Sequence, residues 1–220
     1  RSPAQRGCTM LTVERWGQWE GSWRGPATGN PFITVPDFTV AFSSPLHGSD
    51  VVVRGFYDGE GVFTVRFLPP QLGNYSYRTR CGSAAALDGL VGWFTAVAPS
   101  SGNHGPVLAN GTAFNYRDGS PYHVIGTTVY GLLGGWSNTT STKQTLASLR
   151  ASPFNKLRAM AFPASDPGSP PDLLPYEPVG GVPGAPLDLT RFNIAYWRHV
   201  DDTVRALMDL GIEADLILFN

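Results

Sequence analysis

The chain has 220 residues and a mass of 23.7 kDa, which suits one large domain or two small ones. Its 16 basic and 17 acidic side chains give a net charge of −1, and no basic run indicates a nucleic-acid partner. Every apolar stretch is shorter than the ~20 residues of a membrane-spanning helix, so no membrane partner is expected either. The 26 glycines and 19 prolines indicate many turns and long loops.

The first part of the chain has the pattern of short strands separated by turns. Residues 62–67 and 75–80 alternate between apolar and polar side chains, as half-buried strands do. Similar segments recur about every 8–12 residues, which is typical of a two-sheet sandwich. The segment Gly73–Tyr77 (GNYSY) resembles the tyrosine corner of immunoglobulin-like folds, although Cys81, four residues after Tyr77, does not match the immunoglobulin disulfide. We therefore predict an all-β immunoglobulin-like sandwich over residues 1–98.

Residues 99–113 are predicted to link two domains, because they begin with a small, polar segment rich in glycine and proline. His104 lies in this linker, where a single histidine is more often a packing or hydrogen-bonding residue than a catalytic one. The chain has two cysteines, Cys8 and Cys81, and no C-x-x-C pair, which excludes a zinc ribbon or a thioredoxin-type site. Two free thiols are the simpler interpretation, and a Cys8–Cys81 disulfide stays open.

After the linker, apolar strands alternate with helical segments. A hairpin with Asp118-Gly119 at its tip is predicted at residues 114–122. Strands follow at 124–130, 157–162 and 215–219, with helices from about 141 to 150 and from about 193 to 210. Residues 163–186 carry eight prolines and so cannot form a regular helix or a central strand. This β-α-β-α-β order predicts a parallel sheet covered by helices on both faces.

Two architectures satisfy this order. Residues 114–220 form either a small three-stranded α/β domain or the first three strands and two helices of an incomplete α/β (TIM-type) barrel, which usually takes about 250 residues. We expect the barrel, because an apolar strand that ends a protein exposes an aggregation-prone edge. No Gly-x-Gly-x-x-Gly or Walker motif follows a strand, so nothing supports a nucleotide, and no cofactor or metal is expected.

Several short motifs occur in a fairly specific order along nearly the whole chain. They are Val13–Glu20 (VERWGQWE), Gly25–Phe32 (GPATGNPF), Gly55–Gly59 (GFYDG), Gly102–Val107 (GNHGPV), Gly126–Tyr130 (GTTVY), Ser152–Arg158 (SPFNKLR) and Gly211–Phe219 (GIEADLILF). In this order they resemble a family of uncharacterised bacterial glycoside hydrolases. Members of that family combine an N-terminal immunoglobulin-like domain with an apiosidase-like (β/α)8 barrel of clan A.

The resemblance implies a glycosidase that acts on O-glycosidic bonds of a poly- or oligosaccharide by a retaining mechanism with two glutamates. In such barrels the glutamates follow the fourth and seventh strands, so they are expected beyond residue 220, in a protein of which this chain is an N-terminal fragment. No catalytic residue is therefore assigned, and residues 1–220 alone are expected to be inactive. The alternative is a non-catalytic carbohydrate-binding or scaffold protein. The compartment, cytoplasmic or secreted, stays open.

The expected substrate contacts lie at the C-terminal ends of the strands, where barrel enzymes place their sites. These candidates are Tyr130, Trp136, Phe162, Phe219 and Asn220, and ordinary packing is the alternative for each. Arg158 is similar in position to the arginine that orients the nucleophile carboxylate in this family. An inward-pointing arginine needs a carboxylate partner, and the alternative is a solvated surface arginine.

Other side chains invite a functional interpretation that we do not prefer. Trp16, Trp19 and Trp23 could form a carbohydrate platform, but packing of the sandwich against the barrel is the preferred interpretation. Asp172 and Glu177 lie in the proline-rich segment and are expected to be solvated loop carboxylates.

Overall fold

A computed structural model describes residues 11–45, 48–133, 139–162 and 173–218, with only the backbone for Thr139. The chain divides into two compact units, Arg1–Tyr122 and His123–Asn220, which we call the first unit and the second unit. This division falls after residues 99–113, the linker expected from the sequence, and not within them. Each unit is described by itself below.

The first unit begins with two sheets. Its elements are β1 (Thr12–Glu14), β2 (Trp19–Arg24), α1 (Pro31–Thr34), β3 (Thr39–Ser43), β4 (Val51–Arg54), β5 (Phe56–Tyr57), β6 (Val62–Phe67), β7 (Gly73–Arg80) and β8 (Val91–Val97). One sheet has five strands in the order β1-β8-β7-β3-β4, and the other has three in the order β2-β6-β5. Neighbouring strands run antiparallel, except that β1 and β8 are parallel.

Aromatic side chains from both sheets fill one common core. Trp19 of β2 is 3% exposed, and its ring centroid lies 5.1 Å from that of Phe42 and 5.4 Å from that of Phe94. Phe42 in turn stacks on Phe67 of β6 with a centroid distance of 4.2 Å. Side chains that interdigitate from two facing sheets make this part of the first unit a β-sandwich.

The sequence predicted most of these strands but missed β2. Its inward positions are Trp19, Gly21 and Trp23, and the glycine hides the apolar alternation. A Cβ at Gly21 would lie 2.4 Å from the Trp19 ring and 2.8 Å from the Trp23 ring, so the two indoles occupy the space that a side chain would need. Trp19 and Trp23 therefore belong to the sandwich core and do not form an exposed platform.

Within the segment that resembles a tyrosine corner, Tyr75 is the residue whose hydroxyl bonds back to the chain. The buried hydroxyl donates to the Gln71 carbonyl at 3.2 Å and accepts from the Gln71 N–H at 3.3 Å. These bonds fix the start of β7 to the preceding turn. The immunoglobulin-like assignment itself stays a prediction.

A small antiparallel sheet completes the first unit. Its strands β9 (Val107–Asn110), β10 (Ala113–Tyr116) and β11 (Pro121–Tyr122) lie in the order β11-β10-β9. The predicted hairpin with Asp118-Gly119 at its tip is confirmed, and Gly119 has the positive φ of 92° that favours glycine there.

The second unit contains a parallel sheet. Its elements are β12 (Gly126–Thr128), a 3-10 turn (Tyr130–Leu133), α2 (Thr139–Arg150), β13 (Lys156–Met160), β14 (Tyr176–Pro178), a 3-10 turn (Val179–Gly181), β15 (Leu187–Phe192), α3 (Ile194–Met208) and β16 (Glu213–Ile217). The parallel sheet has the order β12-β13-β16, and β14 and β15 form a separate antiparallel pair.

The two helices pack on the sheet through aliphatic side chains and one tyrosine. Leu157 of β13 is fully buried and shares a core with Leu149 of α2 and with Tyr196 and Leu207 of α3. The Asn193 side chain caps α3 by accepting hydrogen bonds from two backbone N–H groups of its first turn. Gly211 follows α3 with a φ of 72°, as expected for a helix C-terminus.

The predicted fold class is wrong, because the described residues do not form a TIM-type barrel pattern. Most of the regular structure is β, and the described residues include three α-helices, of which α1 belongs to the first unit. In the described residues β12 and β16 pair only with β13, so the parallel sheet is open. Strand–helix alternation specifies each local crossover, whereas barrel closure depends on pairing between distant strands, which local periodicity does not encode.

The chain also makes a hairpin where the sequence predicted only irregular structure. Pro178 is the last residue of β14, and Pro186 is the last residue of the turn that leads to β15. In the described residues these two strands pair only with each other, so each strand has one unpaired edge. Proline is tolerated in such edge strands because its missing N–H is not needed by a neighbour.

Candidate functional site

The carboxyl ends of the parallel strands in the second unit gather most of the described candidate residues. Tyr130 follows β12 in a 3-10 turn and is 56% exposed. Phe162 follows β13 and is half-buried. The crevice outside the carboxyl ends of the strands is the usual ligand site of an open α/β sheet.

Phe162 belongs to a group of rings that we call the strand-end aromatic cluster: Phe162, Tyr176, Phe192 and Trp197. Tyr176 and Phe192, on β14 and β15, stack with their centroids 5.0 Å apart and their planes at 27°. Phe162 lies 6.0 Å from Tyr176, and Trp197 lies 5.9 Å from Phe192. Phe192 remains 38% exposed, so part of the cluster faces solvent.

Hydrogen bonds fix the base of this cluster. The Trp197 Nε1–H donates to the Pro175 carbonyl at 2.9 Å. The hydroxyl of the fully buried Tyr196 donates to the Ala161 carbonyl, directly before Phe162. Burial raises the pKa of Tyr196 to about 12, so the phenol stays protonated and remains a donor at neutral pH. These hydrogen bonds hold the rings in place. Rings held in this way favour stacking on the flat apolar face of a ligand.

Arg158 forms an ion pair with Asp215 of the neighbouring strand. Arg158 Nε and one terminal nitrogen each lie 3.0 Å from Asp215 Oδ2, and the two residues are register partners in β13 and β16. Both side chains keep part of their surface in solvent. The carboxylate partner expected for Arg158 is thus on the adjacent strand, and the sequence had already placed Asp215 at the start of the third strand.

Several predicted site residues lie outside the described residues. Trp136, Phe219 and Asn220 are among them, and so are Asp172 and Cys8. Glu177 is the middle residue of β14, between Tyr176 and Pro178, and is half-buried. Cys81 is buried, with its sulfur 3.5 Å from Asp37 Oδ1.

Sequence reasoning missed three members of the strand-end aromatic cluster. Tyr176 lies within the proline-rich segment and Phe192 lies six residues after it, in a region that gave no strand pattern. Trp197 falls within the predicted last helix, and only the tertiary structure shows that its ring meets Phe192 of β15. The available signal in the sequence was the presence of aromatic residues among the prolines and shortly after them.

Four carboxyl groups have a lowered pKa, each because hydrogen-bond donors stabilise the charged form. The largest cause is the Asn103 side chain for Glu14, the Ser83 hydroxyl for Asp37, the Ser120 hydroxyl for Asp118 and the Thr190 hydroxyl for Asp188. The pKa of Asp118 falls to about 2. A general acid at neutral pH needs a raised pKa, so these four groups are unsuited to that role.

His104, Asp118 and Ser120 form a polar group in the first unit that is not a catalytic triad. His104 Nδ1 lies 2.7 Å from Asp118 Oδ2, and the Ser120 hydroxyl donates to Asp118 Oδ1 at 2.6 Å. The Ser120 hydroxyl lies 3.5 Å from His104 Nδ1, which is the same ring nitrogen that Asp118 contacts. In a triad the serine and the carboxylate face different nitrogens, so this histidine has the hydrogen-bonding role that the sequence predicted.

The described residues contain neither a cluster of metal-binding side chains nor a helix that could span a membrane. Within the described ranges, no group of three or more His, Cys, Asp or Glu side chains is arranged to hold a metal ion. Among the same residues, no helix has the length and apolar character needed to cross a membrane.

Comparisons with known proteins place this geometry in context. Residues 12–82 match the model of DUF5060, a domain of unknown function. A comparison with curated proteins gives no match.

A solved structure from Bacteroides vulgatus, described as a "putative glycoside hydrolase", is 34% identical to this chain over 96% of its length, with a TM-score of 0.84. The chain spans 42% of that protein. Two pullulanases, from Anoxybacillus and from Bacillus subtilis, are each 12% identical and cover 98% and 96% of this chain, which spans 34% and 33% of theirs. Their TM-scores of 0.26 and 0.25 are too low to support an argument. The chain is thus similar, over nearly its whole length, to part of a protein described as a glycoside hydrolase.

Proposed function

We propose that this chain is part of a glycoside hydrolase that cleaves O-glycosidic bonds of a poly- or oligosaccharide. The observation that carries this proposal is the 34% identity, over 96% of the chain, to the Bacteroides vulgatus protein. Because the chain spans only 42% of that protein, the activity is proposed for a whole protein that contains residues 1–220.

The proposed mechanism is retaining, with one glutamate as acid/base and one as nucleophile. Both glutamates are proposed to lie beyond residue 220. The chain spans 42% of the Bacteroides vulgatus protein, so most of such a protein lies outside residues 1–220. The chain as given is therefore proposed to bind sugar but not to cleave it.

The second unit is proposed to supply substrate contacts. Phe162 and the exposed parts of Tyr176 and Phe192 offer ring faces that suit the C–H surface of a sugar. Tyr130 and the Arg158–Asp215 pair offer polar groups on the same sheet or next to it. Trp136, Phe219 and Asn220 remain predicted contacts.

The test compares residues 1–220 with the complete reading frame of the gene on a panel of glycans, by reducing-sugar release. We expect activity only from the complete protein, and loss of it when a glutamate beyond residue 220 is changed to glutamine. NMR of the first product should show the anomeric configuration of the substrate. Inactivity of the complete, folded protein on every glycan, or an inverted product, would contradict the corresponding part of the proposal.

The role of the strand-end aromatic cluster is tested separately in the complete protein. Phe192→Ala should raise KM more than it lowers kcat, because a stacking contact acts mainly on binding. Leu189→Ala is the matched control, since Leu189 lies on the same strand and is 69% exposed. Equal effects of the two substitutions would show that Phe192 is not a substrate contact.

A non-catalytic carbohydrate-binding role is the second candidate, and the partly exposed rings of the same cluster favour it. It predicts saturable glycan binding by residues 1–220 and no product from the complete protein. Product formation by the complete protein would decide against it.

A further inference from the structure

The largest exposed ring on the sandwich sheets is Trp93 in β8. It is 59% exposed, whereas its neighbour Phe94 is buried in the core. Side chains of a strand alternate between the two faces of a sheet, so Trp93 points away from the core of the first unit. Trp19 and Trp23 satisfy the core, so packing between the sheets does not require Trp93.

Trp93 shares this outward face with the exposed Val91 of its own strand and with polar side chains of β7. The strand register places Ser76 opposite Trp93, and it places Asn74 opposite Thr95. The Thr95 hydroxyl donates to Asn74 Oδ1 at 2.9 Å, which holds this amide beside the ring. Arg78 is exposed two residues beyond Ser76 on β7, at a position diagonal to Trp93 about 7–8 Å away.

Three arginines continue this face away from Trp93. Arg78 and Arg80 are exposed on β7, and Arg54 is exposed on β4. Thr39 of β3 is the register partner of both Arg54 and Arg80, so these two guanidinium groups flank the same strand position. Within the described residues none of the three arginines takes part in an ion pair. A concentrated positive charge without a partner is available to an anionic ligand.

The carboxylates near this face are each held by hydrogen-bond donors. Asp50 accepts a hydrogen bond from Ser43, the register partner of Ser76, at 2.5 Å. Glu14, opposite Val97, accepts from Asn103 at 3.0 Å. Asp37, two residues before Thr39, accepts from the Gly82 N–H at 2.7 Å. None of these carboxylates forms an ion pair with the three arginines in the described residues.

We propose that this outward face, which we call the Trp93 face, binds an acidic polysaccharide built from uronic acid units. One sugar ring stacks on Trp93 through its C–H surface, and carboxylates of neighbouring units pair with Arg78, Arg80 and Arg54. Arg80 lies four residues after Ser76, the register partner of Trp93, so the distance from Trp93 to Arg80 is about 14 Å. This distance spans several sugar units. The inference concerns the first unit and does not depend on the proposed hydrolase activity.

The amphipathic pattern explains why a saccharide fits better than a protein. A protein interface needs a fully desolvated apolar centre, whereas here Trp93 and its strand neighbour Val91 are bordered on β7 by their register partners, the polar Ser76 and the charged Arg78. Alternating apolar and polar patches at this spacing match a sugar chain, which presents C–H surfaces between hydroxyl and carboxylate groups.

The test is a titration of residues 1–220 with polygalacturonate and alginate, followed by calorimetry or by affinity electrophoresis. We expect binding to at least one of these polymers, weakened by salt. Fully methyl-esterified polygalacturonate, which keeps the sugar and loses the charge, should bind about tenfold more weakly. Polyglutamate, which keeps the charge and lacks the sugar, should also bind at least about tenfold more weakly. No binding to either uronate polymer, or equal binding of polyglutamate, would overturn the proposal.

Two variants separate the contributions of the ring and of the charges. Trp93→Ala should weaken uronate binding about tenfold, and the double variant R78Q/R80Q should weaken it at least as much and flatten its salt dependence. Leu189→Ala and Arg150→Gln are the controls, since both residues are exposed and lie in the second unit. Should Trp93→Ala impair folding, as judged by circular dichroism, R78Q/R80Q decides by itself. Uronate binding that neither variant changes would place the site elsewhere and overturn the assignment.

Discussion

The two units of this chain use aromatic residues in opposite ways. In the first unit the rings of Trp19, Phe42 and Phe94 are buried between two sheets and hold them together. In the second unit the core under the helices is mostly aliphatic, and the rings gather at the strand ends, where Phe192 stays partly exposed. Aromatic content by itself therefore does not indicate a binding site, because the same residue types serve as core in one unit and as surface in the other.

Trp93 is the exception that sharpens this comparison. It lies in the first unit, but it faces outward among polar side chains, as the strand-end rings of the second unit do in part. Two aromatic residues on one strand, Trp93 and Phe94, thus differ in role, because successive side chains of a strand point alternately to solvent and to the core.

The largest expected effect comes from the aromatic core of the first unit. Phe42→Ala should destabilise this unit by about 3–5 kcal/mol, because it removes a ring that stacks on Phe67 and contacts Trp19. Hydrogen exchange followed by mass spectrometry should show faster exchange in β3 and β6. Val91→Ala, on the exposed face of β8, is the control and should change exchange little. Similar exchange in both variants would contradict a core role for Phe42.

The aliphatic core of the second unit should give a comparable or smaller effect. Leu157→Ala is expected to cost about 2–5 kcal/mol, since Leu157 is fully buried between the sheet and α3. The same exchange experiment should show the loss of protection in β13, β16 and α3. Met208→Ala, at an exposed position of α3, provides the comparison. Unchanged protection in β16 after Leu157→Ala would show that the parallel sheet does not depend on this core.

A smaller effect is expected from the hydroxyl of Tyr196. Tyr196→Phe should cost about 1–2 kcal/mol, because the Ala161 carbonyl loses its buried donor. The pKa of Tyr196 is about 12 in the folded state, against an ordinary value of 10.0, so its contribution is fully present below pH 10 and is lost as the pH rises towards 12.

Urea titrations at several pH values measure this dependence. The stability difference between the wild type and Tyr196→Phe should shrink as the pH rises from about 10 to about 12. Tyr130→Phe, with an exposed hydroxyl, is the control. A difference that stays constant over this interval would contradict the shifted titration of Tyr196.

The smallest effect is expected at the surface of the first unit. Asp118→Asn removes a carboxylate that binds Ser120 and His104, and the melting temperature should fall slightly at pH 6. The pKa of Asp118 is lowered from 3.8 to about 2, so its stabilisation is present above pH 3.8 and is lost as the pH falls towards 2. The melting temperatures of the two proteins should therefore converge at low pH. Convergence is checked by calorimetry, with Asp202→Asn as a control at another acidic residue.

The fold was predictable where local pattern and local structure coincide. The alternation in residues 62–67 predicted β6, and the helix predicted from about 193 to 210 is observed as α3 (Ile194–Met208). The pattern failed for β2, because Gly21 occupies an inward position, and for the β14–β15 hairpin, because prolines surround it. The barrel prediction failed for a different reason, since closure depends on strand pairs that are far apart in sequence.

The candidate site was predictable only in part. The position of Tyr130 and Phe162 after apolar strands pointed to the carboxyl edge of the sheet. The partners of these residues come from elsewhere in the chain, so neither the ring of Phe192 nor the carboxylate of Asp215 could be assigned to the site from its own segment.

The sequence by itself determined many of the strands, the two long helices and the motifs that resemble glycoside hydrolases. These properties depend on periodicity, capping and motif order, which are local along the chain. Only the tertiary structure decided which tryptophans are buried, which carboxylate pairs with Arg158, and that Trp93 shares an outward face with Arg54, Arg78 and Arg80. Those relations depend on strand order and register, because pairing between strands brings together residues that are far apart in the chain.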